Sequence, residues 1–412
     1  MKRALASKRN YAVLLVLFLA WIVGYFDKVS INVAIIPITK ELNLTPDKAG
    51  LILSSFFLSY AVMQLVGGYL ADKFGSKKVL TGAIFTWSIF TGITGWANSF
   101  FGMIASRFMV GAGEGSFPTA SSVTIANTFP KEQRARAKSV VQSGSSVGIA
   151  IGSIVIASLT ASFGWRIMFY SLAVLGVLLA ILVWFVLGAS DQKQEGENER
   201  RANKVPVNML LKTPLVWKLL VVYFFANFVF WGLQSWLPSY WVKVKGMSMV
   251  SMGAYSSIPA ILGFISFLVS GWVLDKYMLG KEKYIIIGGA FLSAIFIYLM
   301  FNATSIPLAF TYLTLSNVFL NPISITVFIM PLKHMAKESV GTATGIINAG
   351  AQVGSILSPT VMGYLISSSG NNYNAAFMFL VFSCIVMLIA GLTINTKKSA
   401  NEMGPDSPAI AD

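Results

Sequence analysis

The chain has 412 residues, of which 55 % are apolar and only 11 % are charged. Soluble globular proteins carry about 25 % charged residues, so this composition excludes an ordinary soluble domain and indicates a multi-pass membrane protein. The net charge of +15 does not indicate nucleic-acid binding, because the basic residues lie almost entirely in short connections between apolar runs.

Twelve apolar runs follow one another along the chain, each long enough to cross a hydrocarbon core of about 30 Å as a helix. They predict an all-α membrane protein with twelve transmembrane helices, at 12–38, 48–71, 78–98, 100–129, 138–161, 166–188, 215–241, 250–274, 284–302, 305–331, 340–368 and 375–395. Most Lys and Arg residues lie on the side that holds both termini, which predicts cytoplasmic termini. The compact loops favour the cytoplasmic membrane of a bacterial cell.

Run 1 places an acid and a base, Asp27 and Lys28, side by side in the middle of an uncharged stretch. Each such charge costs roughly 2.5 to 3.5 kcal/mol at the middle of a membrane helix. The default interpretation is therefore functional. The alternative is a buried ion pair that only fixes helix packing.

Run 4 supplies a second pair of charges. Arg107, Gly111 and Glu114 stand at i, i+4 and i+7, so they share one helix face, with Arg107 and Glu114 about 10 Å apart and Gly111 leaving the face open between them. Two cations and two carboxylates balance when all are ionised. A substrate carboxylate adds a negative charge, unless a proton neutralises Asp27 or Glu114, and burial favours that protonation.

These charges make Asp27 and Glu114 candidate proton-coupling residues, and Lys28 and Arg107 candidate anchors for an anionic substrate. Arg107 can clamp a carboxylate with two parallel hydrogen bonds, whereas Lys28 is a compact point charge. Lys28 lies deeper in its run, so we expect it to be the main anchor. Arg107 is expected to hold Asp27 or to gate the pathway if it does not bind substrate.

The polar stretch at 190–213 divides the chain into two halves. We expect a six-helix bundle at 1–189, a cytoplasmic linker at 190–213, a second six-helix bundle at 214–396 and a cytoplasmic tail at 397–412. The two halves echo each other, because Gly-Tyr-Leu-Ala-Asp-Lys at 68–73 has the counterpart Gly-Trp-Val-Leu-Asp-Lys at 271–276. Each half crosses the membrane an even number of times, so a pseudo-two-fold axis along the membrane normal is predicted, with the substrate path between the bundles.

The segment 68–78 resembles the loop 2–3 signature of the major facilitator superfamily, and 107–113 resembles its helix 4 motif. Within that superfamily, Tyr25-Phe26-Asp27-Lys28, the spacing of Arg107 and Glu114, and Phe-Pro-Thr at 117–119 resemble the anion:cation symporter group. That group carries galactonate, glucarate, hexuronate and related organic anions.

The resemblance implies import of an organic anion, a sugar acid or related hydroxy-carboxylate, by proton symport with alternating access. It also implies that Tyr25, Tyr60 and Asn348 line the substrate cavity. Two expected substrate-binding positions depart from the group: Lys28 stands where Arg is usual, and Ser145 stands where the sugar-acid carriers have Gln. Both departures leave the exact anion open.

The second half has no comparably deep charge, so we expect it to contribute polar and aromatic contacts such as Gln234. The loop after run 2, with Gly68, Asp72, Lys73 and Gly75, is interpreted as a conformational latch, because a helix end with an acid and adjacent bases can pair in one state and release in the other. In run 5, Gly144, Gly148 and Gly152 recur every fourth residue and predict close helix packing.

One histidine, His334, and one cysteine, Cys384, leave Ser-His and Cys-His catalysis and metal clusters without partners. His334 is interpreted as a solvated helix-end residue. We therefore expect no enzyme, no cofactor and no metal, with a small anion, protons and the lipid bilayer as partners of a monomer. The alternatives are an exporter or antiporter of an amphipathic compound, a weaker case for exchange of phosphorylated sugars, and a membrane receptor that does not transport.

Overall fold

The computed structural model describes residues 2–187, 210–278, 280–335 and 337–395. Within these ranges the chain forms eleven helices, which confirms the all-α class. They are α1 Lys2–Glu41, α2 Pro46–Phe74, α3 Ser76–Trp96, α4 Phe100–Thr128, α5 Lys131–Val186, α6 Pro214–Lys243, α7 Met249–Lys276, α8 Lys283–Asn302, α9 Ile306–His334, α10 Lys337–Ser368 and α11 Asn374–Thr393.

The fifth helix accounts for the difference between twelve predicted runs and eleven helices. Runs 5 and 6 both fall in α5, whose helical geometry is interrupted at Gly164, with φ +84° and ψ 161°. Glycine adopts a positive φ at no steric cost. The interruption therefore separates two helical segments that join without an intervening loop.

Nine helices of the described chain are long and apolar enough to cross a membrane. The two others, α4 and α10, fall short of that apolarity. Both carry many Gly, Ser and Thr residues, and α4 also carries Arg107 and Glu114. The protein is thus a multi-pass membrane protein in which α4 is one of the more polar helices.

The described residues form two compact units. The first takes its residues from Met1–Lys193, Gln234–Ile261 and Pro359–Asn372, and the second from Gln194–Leu233, Leu262–Ser358 and Tyr373–Asp412. The bundle boundaries at 1–189 and 214–396 stay a prediction. Residues 190–209 of the expected linker and the whole expected tail at 397–412 lie outside the described residues.

Close contact between α1 and α5 is made at glycines. A Cβ atom on Gly148 would lie 2.7 Å from Tyr25 Cβ and 2.9 Å from the Ile22 carbonyl oxygen. Gly144 and Gly152 meet α1 in the same way, at the Phe18 carbonyl and the Phe26 ring. The predicted close packing along this glycine row is confirmed.

A second glycine contact joins α2 to α4. A Cβ atom on Gly111 would collide with the Phe56 carbonyl and the Ser59 hydroxyl, and one on Gly115 with the Tyr60 carbonyl. The interpretation that Gly111 leaves its helix face open is therefore wrong. The backbone of α2 covers Gly111 directly, and the missing side chain permits that approach.

Packing at Gly148 can be tested with Gly148→Ala, for which we expect the free energy of unfolding to fall by about 1 to 3 kcal/mol, because the added methyl group overpacks the contact with α1. The measurement is thermal or denaturant unfolding of the purified protein in detergent.

The matched control is Gly82→Ala, because a Cβ atom at Gly82 meets nothing within 4 Å. Equal stability of the two variants would contradict the close contact.

Candidate functional site

Four charged side chains meet between α1 and α4 in the first unit. Asp27 and Lys28 come from α1, and Arg107 and Glu114 from α4. Their exposed fractions are 3 %, 8 %, 0 % and 3 %. Charges this deeply buried are stable only when paired and hydrogen-bonded.

The four charges pair crosswise between the helices. Lys28 Nζ contacts Glu114 Oε2, and Arg107 Nη1 lies 3.1 Å from Asp27 Oδ1. Neighbours on α1 thus bind partners two turns apart on α4. The cluster is electrically balanced when all four groups are ionised.

Asp27 accepts hydrogen bonds at both carboxylate oxygens. Arg107 donates to Oδ1 and the Thr91 hydroxyl, on α3, donates to Oδ2. The Ser30 hydroxyl lies 3.4 Å from Oδ1 while bonding the Asp27 main-chain oxygen at 2.6 Å. The sequence gives no signal that singles out Thr91, because a threonine in a membrane helix commonly bonds a carbonyl of its own helix.

Glu114 is less fully satisfied. Its Oε2 contacts Lys28, while no described residue offers a hydrogen-bond partner to Oε1. Lys28 and Glu114 line a small cavity together with Ala20, Trp21, Gly24, Tyr60, Trp87, Phe117 and Pro118. Its volume of about 10 Å³ is close to what one water molecule requires.

Aromatic rings surround the Lys28 amine. Its Nζ lies 4.9 Å from the centroid of the Tyr25 ring and 5.3 Å from those of Phe56 and Tyr60. Ring faces attract a cation without neutralising it. The amine can therefore stay in this place while it exchanges one anionic partner for another.

Arg107 lies behind the Phe56 ring, with its guanidinium carbon 5.4 Å from the ring centroid. Its side chain is buried. Its Nε and Nη2 find no acceptor among the described residues. In this conformation Arg107 holds Asp27 and is closed to a ligand.

The other predicted binding residues are Ser145, Gln234 and Asn348. Ser145 donates to the Gln142 carbonyl of its own helix at 2.7 Å. Gln234 is half-buried in α6 and belongs to the first unit, whereas Asn348 is half-buried in α10 and belongs to the second. Their part in substrate binding stays a prediction.

The predicted latch lies at the junction of α2 and α3. Gly75, with φ +84°, separates the two helices, and Gly68 faces Thr119 of α4. Asp72 and Lys73 are exposed, and the Lys73 amine lies 5.3 Å from the centroid of the Phe74 ring. Whether this segment acts as a latch stays a prediction.

One further charge cluster lies at the end of α9. His334 is half-buried rather than solvated, with Nε2 3.4 Å from Glu282 Oε2, and Lys333 Nζ is 3.7 Å from Glu282 Oε1. Glu282 is fully buried. The interpretation of His334 as a solvated residue is wrong, because the sequence does not show that a carboxylate 52 residues earlier folds against it.

Comparisons with known proteins give a consistent result. The profile of the Major Facilitator Superfamily matches residues 16–359 and 280–408. The chain is 29 % identical over 388 residues to the hexuronate transporter of Bacillus subtilis (strain 168), covering 90 % of this chain and 91 % of the relative. It is 30 % identical over 425 residues to a probable galactarate/D-glucarate transporter of Escherichia coli (strain K12), covering 93 % and 94 %.

Among solved structures, the fold matches a bacterial homolog of the human lysosomal transporter Spinster, crystallised in an inward-facing and occupied conformation. The TM-score is 0.82 at 18 % identity, and the match covers 96 % of this chain and 98 % of the other. At this identity the likeness concerns the fold alone.

The crosswise pairing can be tested through stability. In Lys28→Met or Glu114→Gln alone, we expect a loss of about 3 to 5 kcal/mol, because one buried charge remains without its partner. The double variant Lys28→Met/Glu114→Gln is expected to lose less than either single variant. Unfolding of the purified proteins in detergent measures the three losses.

The control is Lys78→Met, which removes an exposed lysine and is expected to change stability by no more than about 0.5 kcal/mol. Additive losses in the double variant would argue against the Lys28–Glu114 pair.

Proposed function

Because this chain belongs to the Major Facilitator Superfamily, we propose that it is a secondary active transporter that imports an organic anion together with protons. The superfamily consists of membrane transporters, so the protein is a transporter and not an enzyme. The proposed cargo is a sugar acid or a related hydroxy-carboxylate.

The proposed architecture has twelve transmembrane helices in two six-helix bundles related by a pseudo-two-fold axis along the membrane normal. In this proposal the protein is a monomer in the cytoplasmic membrane. Both termini lie on the cytoplasmic side. The sequence repeat at 68–73 and 271–276, the side preference of Lys and Arg and the fold likeness support this arrangement. Transport then proceeds by alternating access.

The observation that carries the proposal is the balanced pairing of the four buried charges. With Asp27, Lys28, Arg107 and Glu114 ionised, the cluster has no net charge. A monoanionic substrate makes it negative. One proton on a carboxylate restores neutrality, and a neutral cluster is the state that costs least to hold in a low-dielectric interior.

Lys28 is the group that links the proton to the anion. When Glu114 is protonated, it no longer neutralises the Lys28 amine, which can then pair with a substrate carboxylate. The amine lines the cavity and remains among the rings of Tyr25 and Tyr60. Arg107, which is fully buried against Asp27, is the weaker candidate for the anchor.

Sugar acids fit the surroundings of Lys28 and the names of the relatives. The hexuronate and galactarate/D-glucarate carriers handle carboxylates with several hydroxyl groups. Such a substrate needs a cation for its carboxylate and polar side chains for its hydroxyls. We assign the binding of the substrate hydroxyls to five side chains: Tyr25, Tyr60, Ser145, Gln234 and Asn348.

The direct test measures uptake of labelled hexuronates, galactonate and glucarate into proteoliposomes, with and without an inward proton gradient. We expect gradient-driven accumulation of at least one anion by the wild type. Lys28→Ala should lose both uptake and exchange, because no cation remains for the carboxylate.

Lys28→Arg is the matched variant, since it keeps the cation, and it should retain measurable uptake. Accumulation by Lys28→Ala at the wild-type rate would exclude Lys28 as the anchor. If the wild type accumulates none of these anions, export of an amphipathic compound becomes the better hypothesis.

Glu114→Gln separates proton coupling from binding. This variant mimics a permanently protonated Glu114, so we expect loss of gradient-driven accumulation with exchange of substrate between the two sides still measurable. Counterflow of labelled substrate against unlabelled substrate measures the exchange. Driven uptake at the wild-type rate would show that Glu114 is not the coupling site.

A further inference from the structure

The two buried carboxylates differ in their hydrogen bonds. Asp27 and Glu114 each pair with one cation, but only Asp27 has a second donor on its other oxygen. That donor is the hydroxyl of Thr91 on α3. A hydrogen bond to a carboxylate favours its ionised form, because an ionised carboxylate only accepts and a protonated one must also donate.

Thr91 is placed to donate such a hydrogen bond to Asp27. It is buried in the interior of α3, and its hydroxyl oxygen meets the carboxylate that Arg107 binds from α4. Asp27 is therefore enclosed by donors from two helices, with a third hydroxyl, that of Ser30, 3.4 Å away. This is a site built for a charged carboxylate.

Glu114 has the opposite surroundings. Its Oε1 meets no donor among the described residues, and its side chain lines the water-sized cavity, whose lining residues do not include Asp27. Gly24 stands beside it, and a Cβ there would lie in van der Waals contact with Glu114, 3.7 Å from Oε2. A proton can therefore be accepted at Glu114 without displacing a hydrogen bond.

The remaining titratable groups nearby do not reverse this difference. They are Tyr25 of α1 and Tyr60 of α2, and both rings lie against the Lys28 amine that pairs with Glu114. Between Gly144 and Gly152, where α5 packs on α1 beside Tyr25, no side chain is titratable.

We infer that Thr91 is a positioning residue that keeps Asp27 ionised, so that of the two buried carboxylates Glu114 takes the proton first. The Asp27–Arg107 pair then stays intact while the Lys28–Glu114 pair opens. The coupling of the Glu114 proton to transport rests on the proposed function. The order in which the two carboxylates bind protons does not depend on it.

The order can be measured without transport, by infrared spectroscopy of the purified protein in lipid over a range of pH. A protonated carboxyl group absorbs at a C=O frequency that an ionised one lacks. In the wild type, the buried carboxyl band that appears first on acidification should be absent from Glu114→Gln. A first band that persists in Glu114→Gln and belongs to Asp27 would overturn the inference.

The role of Thr91 is measured in the Glu114→Gln background, where Asp27 is the remaining carboxyl group of the cluster. Adding Thr91→Val removes the donor at nearly constant volume, so the carboxyl band of Asp27 should appear at a higher pH than in the parent protein. Adding Thr91→Ser keeps a hydroxyl and should restore the parent titration. Identical titrations of the Val and Ser proteins would overturn the role of Thr91.

The pH dependence of substrate exchange tests the same inference in transport. If the wild type transports, Thr91→Val should lose exchange at low pH, where protonation of Asp27 leaves Arg107 without its partner, whereas Thr91→Ser should keep the wild-type pH profile. A uniform loss at every pH would point to a structural role and count against the inference. Absence of anion transport by the wild type would overturn the proposed function, and the infrared titrations would still decide the role of Thr91.

Discussion

Charge burial between α1 and α4 is the constraint on which this structure depends. An unpaired ion in a low-dielectric interior costs several kcal/mol, so four such groups can be retained only if each meets an opposite charge. The two charges on α1 are adjacent, whereas those on α4 are two turns apart. Each can meet an opposite charge only in one relative register of the two helices. The fold must therefore hold that register closely.

Glycine contacts bring a neighbouring helix close to each of these two helices. Gly148 brings α5 onto α1 next to Tyr25, two residues before Asp27, while Gly111 lets α2 approach α4 between Arg107 and Glu114. The same approach places Phe56 of α2 against both cations. The centroid of its ring lies 5.3 Å from Lys28 Nζ and 5.4 Å from the Arg107 guanidinium carbon. Helix packing and charge placement are thus achieved by the same backbone contacts.

The two ion pairs are suited to different tasks. Asp27 and Arg107 form a buried pair, and the hydroxyl of Thr91 binds the second carboxylate oxygen of Asp27. Lys28 and Glu114 form an open pair beside a cavity and among aromatic rings that attract the amine whichever anion it binds. A substrate carboxylate competing with Glu114 for Lys28 is the simplest way in which such a pair can couple a proton to an anion.

Much of this was predictable from the sequence. Apolar runs are the direct consequence of the bilayer's thickness, so the all-α class and the positions of most helices could be predicted from length and hydropathy alone. Charges inside such runs are costly, which is why Asp27, Lys28, Arg107 and Glu114 could be singled out. The superfamily, too, could be recognised, because its loop motif at 68–78 is a local pattern of residues.

The crosswise pairing, the part played by Thr91, the closed face at Gly111 and the burial of His334 against Glu282 were decided only by the tertiary structure. Each depends on which faces of two helices distant in sequence come together, and the sequence of one helix does not specify the face that its neighbour presents. A threonine whose hydroxyl bonds its own helix and one that binds a carboxylate across the bundle are identical as letters. The sequence therefore determined that this membrane protein buries charged side chains, and the packing of α1 to α4 decided which of them pair.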